Sequence, residues 1–188
     1  MTPTPQRRGP AVEATVLEAT LTLLAERGAA LTVDEVAAAS GVHKTTIYRR
    51  YATREQLIAS AVMSLAEQAV PPVADDDPRA AIERLALAVA ATTRTDAGPN
   101  ILRATIAASA ASSELVQLAD AFFRARYALA VEHLRRLAES GGLRSGVDPV
   151  VVWEQIVNPM HVRALCGRPT SEADARLLVE LALRGAAA

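Results

Sequence analysis

The chain has 188 residues, a formal net charge of -1, 51% hydrophobic residues and only 3% aromatics. The length suits one small domain plus a larger one, or a single compact unit. A core with so few rings has to be built from Ala, Leu and Val, the residues of helix bundles. No stretch approaches about 18 to 20 continuous apolar residues, so no membrane span is expected. Cys166 alone cannot form an intrachain disulfide or a zinc cluster, and His43, His133 and His161 lack metal-site spacing, so neither a metal nor a cofactor is expected.

Residues 1–10 are rich in Pro and Thr and carry Arg7 and Arg8 side by side. A twin-arginine export signal fails here, because Glu13 and Glu18 interrupt what would have to be an uncharged apolar run. The segment reads as a flexible arm, either reaching a phosphate or minor groove or simply solvated. From Val12 to Arg27, Leu17, Leu21 and Leu24 fall at helical spacing, with Val16 and Leu23 widening the stripe and Gly28 as the stop.

The stretch from Thr32 to Leu57 is the most informative. Thr32 with Glu35 forms a capping box, and Ser40-Gly41 ends the helix it starts. A second helix from about His43 to Arg50 has Ile47 as its buried residue, and two short helices across a Gly turn make a helix-turn-helix. Thr53 with Gln56 repeats the cap and starts a third helix at Arg54. Between Gly41 and Arg54 the charges are Lys44, Arg49, Arg50 and Arg54 with no acid among them. Basic charge confined to one face, interleaved with Thr45, Thr46 and Tyr48, is the electrostatic footprint of nucleic-acid binding.

TVDEVAAASGVHKTTIYRRYATREQL, preceded by VLEATLTLLAERG, resembles the DNA-binding domain of the TetR family of one-component transcriptional regulators. The resemblance covers about the first third of the chain. It implies an all-α fold of about nine helices: a three-helix helix-turn-helix head with a linking helix over residues 11–70, then a helical effector-binding and dimerisation domain over 71–188. It also implies double-stranded operator DNA as partner. By position, Lys44, Thr45 and Thr46 are expected at base edges or nearby backbone, and Thr32, Tyr48, Arg50 and Arg54 at phosphates, with Arg49 at either. His43 stands where the family often carries Ser, so either the cap is weaker or His43 itself touches DNA. Tyr51 stands where the family carries an aromatic that closes the head.

Beyond Arg54 the helix is expected to run to about Ala69. Val70-Pro71-Pro72 and Asp75-Asp76-Asp77-Pro78 then break the chain, with Asp77 as N-cap and Pro78 as first helical residue. Further helices are expected from Pro78 to Thr95, from about Asn100 to Ala111, from Ser112 to Gly141-Gly142, from Asp148-Pro149 to Cys166, and from Ser171 to about Arg184. SGGLRSG lacks the GK[ST] ending of a phosphate loop and reads as a C-cap and loop. Nothing supports Ser109, Ser112 or Ser113 as a nucleophile with His133 as base, and a serine at a helix start reads as a cap, so no case for an enzyme follows.

Leu177, Leu178, Leu181 and Ala182 fall together on one face of the last helix, and apolar residues also occupy other faces of the last two helices. A homodimer through those helices, packed as a four-helix bundle, is the expectation. By resemblance, a cavity among the middle helices binds a largely apolar small-molecule effector. Phe122, Phe123, Tyr127, Trp153, Asn158, Met160 and His161 are its candidate lining. The whole reads as a cytoplasmic repressor that binds a palindromic operator as a dimer and is released by the effector. The alternative is a regulator of the same fold without a ligand, controlled by a protein partner or binding constitutively.

Overall fold

The computed structural model describes residues 8–67, 77–110 and 112–187. Most of the expected arm and the expected domain boundary between residues 70 and 71 lie outside them. Nine α-helices and no strand are found among the described residues: α1 Arg8–Arg27, α2 Val33–Ser40, α3 Lys44–Arg50, α4 Arg54–Glu67, α5 Pro78–Thr93, α6 Ala97–Ser109, α7 Ser113–Glu139, α8 Pro149–Leu165 and α9 Glu172–Ala186. The all-α architecture is the expected one. No described helix is long and apolar enough to cross a membrane.

The helix starts follow from short-range chemistry. Thr32 Oγ1 accepts from the Glu35 amide at 3.3 Å while the Thr32 amide donates to Glu35 Oε2 at 2.8 Å, closing the capping box of α2. Leu31 before the cap and Val36 one turn in are both fully buried, the two positions of a hydrophobic staple. Asp77, Ser112, Asp148 and Ser171 each accept an amide from the first turn of α5, α7, α8 and α9 respectively. Each such cap contributes about 1 kcal/mol.

Two features differ from expectation, the buried line of α1 and the start of α6. In α1 the fully buried line is Val16, Thr20 and Leu24, with Leu17 and Leu21 half-buried beside it. Thr20 can occupy that line because its hydroxyl donates to the Val16 carbonyl at 2.7 Å. Helix α6 begins at Ala97, three residues earlier than Asn100. Pro99 falls in its first turn, where it has no intrahelical donor to lose, and the Gly98 amide is taken by Thr95 Oγ1 at 3.1 Å. Gly98 is required there, since a Cβ would stand 2.3 Å from the Thr92 carbonyl oxygen.

Two hydrophobic clusters hold the molecule. One joins α5, α7, α8 and α9 through Ile82, Leu134, Ile156, Met160 and Val179. The other gathers α1 to α4 around Leu24, Val36, Ile47 and Leu57, and is completed by Ala104 and Ala108 of α6 and Phe122 of α7. Two bonds reinforce the position of α6 between the halves. Asn100 Nδ2 donates to the Ala25 carbonyl of α1 at 2.8 Å, and Arg103 Nη2 donates to the Leu165 carbonyl at the end of α8 at 3.3 Å.

Candidate DNA interface and ligand cavity

The turn between α2 and α3 is set by Gly41, whose φ of 68° lies in the left-handed region that a side chain disfavours. Ser40 Oγ stitches the turn, donating to the Val36 carbonyl at 2.7 Å and accepting from the Val42 amide at 3.3 Å. Helix α3 then has seven residues and one anchor, Ile47, which is 1% exposed. Its remaining side chains stand on or near the surface: Lys44, Thr45, Tyr48, Arg49 and Arg50 are exposed and Thr46 is half-buried. His43 is exposed at the N-cap and makes no side-chain cap bond, so the cap is the weaker kind.

The cations are less free than their segment suggests, because acids arrive from other helices. Lys44 Nζ donates to Asp34 Oδ2 of α2 at 2.9 Å and lies 2.7 Å from Oδ1, and the hydrogen bond holds the ammonium above its ordinary range. Arg50 forms a forked pair with Glu13 of α1, its Nε donating to Oε1 at 3.0 Å. Arg54 pairs with its neighbour Glu55 at 3.0 Å. Only Arg49, of these four, has no ion pair among the described residues. Residues 1–67 hold seven Arg and Lys against seven Asp and Glu, so the arm and head together have no formal net charge.

Exposed ion pairs contribute about 0–1 kcal/mol each. Lys44 and Arg54 can therefore exchange a carboxylate for a phosphate at little cost. Arg50 is placed differently: its fork ties α3 to α1 and makes it a brace of the head as well as a cation. Thr32 is exposed, but its hydroxyl and amide are both engaged by the capping box. Tyr51 is buried, its hydroxyl 3.5 Å from Glu13 Oε1, and burial pushes the phenol up.

A cavity of about 210 Å³ opens between α4, α5, α6, α7 and α8. Five of the seven expected lining residues border it: Phe122, Phe123, Tyr127, Trp153 and His161. Their rings form a chain, with centroids 5.3 Å apart for Phe122 and Phe123, 6.0 Å for Phe123 and Tyr127, and 6.5 Å for Tyr127 and Trp153. Burial lowers the His161 pKa from 6.5 and pushes the Tyr127 phenol up to about 12. The other two expected residues do not border it. Met160 is fully buried in the cluster shared by α5, α7, α8 and α9. Asn158 is exposed, because seven and four residues separate it from the exposed Val151 and Val162 and place all three on the outer face of α8.

Helix α7 also brings Arg126 to the wall, one turn after Phe122, so the helical spacing that marked the rings would have found it. The walls contributed by α5 and α6, including Val89, Thr92, Pro99 and Ile101, carry no comparable signal in sequence.

A family profile described as "Tetracyclin repressor-like, C-terminal domain" matches residues 72–182, more than half of the chain, and one described as "Bacterial regulatory proteins, tetR family" matches residues 16–61. The chain belongs to the TetR family of transcriptional regulators. A crystal structure of a TetR family transcription regulator is 32% identical, covering 94% of this chain and 99% of its own, with a TM-score of 0.71. FadR from Bacillus subtilis, solved with stearoyl-CoA, shares the fold at 14% identity, 92% and 98% coverage and a TM-score of 0.72. A regulator from Saccharomonospora viridis, solved with choline, does so at 17% identity, 93% and 96% coverage and a TM-score of 0.70. No curated protein matches the chain.

In this TetR-family chain α8 and α9 also present unpartnered apolar side chains. Val151 is 49% exposed, Val162 59%, Leu177 51% and Leu181 59%. Leu178 and Ala182, expected on the same face of α9, are half-buried and pack inward.

Proposed function

We propose that the protein is a transcriptional repressor that binds a palindromic operator as a homodimer and releases it when a largely apolar small molecule occupies the cavity. One observation carries this reading. The cavity is bounded by α4 and α6, and both helices also build the head: Leu65 of α4 lines it while Leu57, Ile58 and Val62 sit in the head cluster, and α6 lines it while Asn100 holds α1. A ligand that favours a different setting of α4 and α6 shifts the population of head positions, provided it binds one setting more tightly than the other. The small molecules held by the FadR and S. viridis relatives support the reading at the level of fold.

In the head, α3 is proposed to enter the major groove. Lys44, Thr45, Thr46 and Arg49 would reach base edges or nearby backbone, with Thr32, His43, Tyr48, Arg50 and Arg54 on the flanking backbone. The exposed apolar face of α8 and α9 is proposed to close against its copy, which pairs two heads on one duplex.

Selection from random duplex DNA with the purified protein tests this. It is expected to enrich a near-palindrome that the protein protects from cleavage, with affinity falling as salt rises because neutralised phosphates release counterions. Recovery of no preferred sequence would contradict specific operator binding.

A further inference from the structure

Among the described residues the cavity lining contains one charged side chain, the guanidinium of Arg126, and no carboxylate. Arg126 is exposed at the mouth and has no ion pair or hydrogen bond among the described residues. Tyr127, next to it on α7, borders the same space, and its hydroxyl likewise donates to no acceptor there. Deeper in, the walls are apolar: Leu85, Val89, Ile101 and Phe123.

We infer that the cavity takes an amphiphilic carboxylate, with an apolar body among the helices and the carboxylate at the mouth on Arg126, where Tyr127 supplies a further donor. The inference rests on the effector reading above and adds the ligand's chemical class. A cation is disfavoured because Arg126 repels it and no carboxylate lines the cavity to compensate. Burial lowers the His161 pKa, which disfavours its charged form, and Arg126 is the charged side chain of the lining; Glu154, whose charge is felt at the Tyr127 hydroxyl, lies outside it. The volume fits an apolar body of about seven to ten non-hydrogen atoms at roughly 20–30 Å³ each, with the headgroup outside it at the mouth.

Calorimetric titration of the whole protein with decanoate, 1-decanol and decyltrimethylammonium tests this. Decanoate is expected to bind about tenfold or more tightly than decanol, as a charge-assisted pair requires, and the ammonium to bind more weakly than either. Arg126→Met keeps much of the apolar stem and removes the charge. It is expected to bring decanoate down to the affinity of decanol while leaving decanol unchanged. Equal binding of decanoate and decanol, an unchanged preference in R126M, or no binding of any probe would overturn the inference. Release of operator is read separately. Decanoate bound through Arg126 without release leaves the inference standing and sinks the effector reading. Release by decanol with no carboxylate preference does the reverse.

Discussion

Replacing Leu177 and Leu181 together by Glu is expected to leave the protein monomeric and to lower its operator affinity by about 10²–10⁴-fold. Both side chains are more than half exposed in the single chain, so the substitutions disturb little of its own core. Against a second copy they would place carboxylates in an apolar seam, where unpaired charge is strongly disfavoured. The loss in affinity follows from linkage alone: a single head binds one half-site, and the second half-site no longer benefits from the effective concentration that the dimer supplies. Light scattering gives the mass and a gel shift the affinity. A double variant that remains dimeric would remove this face of α9 from the interface.

The second large effect is expected at a residue that touches no DNA. Ile47→Ala should destabilise the head by about 2–5 kcal/mol, the range for emptying a fully buried aliphatic site. Helix α3 has seven residues and Ile47 is its one buried anchor, its other ties being the exposed ion pairs of Arg50 with Glu13 and Lys44 with Asp34. A helix that short is not stable alone. Specific binding should therefore fall even though Lys44, Thr45 and Arg49 are all present. Ile47→Val, which keeps most of the volume, should cost only about 0.5–1.5 kcal/mol. Denaturant unfolding with a parallel gel shift measures both. If Ile47→Ala bound operator like the parent, the packing of α3 would not be what positions its side chains.

The parts of this fold that are legible in sequence are those whose cause is local. Thr32 with Glu35, Gly41, Asp77 with Pro78, Asp148 with Pro149, Ser112 and Ser171 each act within a few residues, and each is found doing what its spacing predicts. The head is legible for the same reason, since its two caps and its Gly turn fall within one short stretch. What sequence does not show is set by contacts between distant residues. Glu13 stands 37 positions from the Arg50 it holds, so a segment with no acid of its own is nonetheless paired. Phe122 is expected at the cavity and is found there, but it also closes the head's cluster. Asn158 and Met160 show the limit of composition as a guide. Each has a side chain suited to a ligand site, and the phase of α8 sends one to the surface and the other into the core.

The most direct test is the spacing of the operator. In a two-fold dimer the paired α3 helices meet half-sites about 34–36 Å apart, or multiples of that. Inserting about five base pairs at the centre of a selected operator turns one half-site to the opposite face of the duplex, since a helical turn is about 10–10.5 base pairs. Affinity is predicted to fall to that of a single half-site. Unchanged affinity for the lengthened operator would contradict a dimer reading two half-sites through α3.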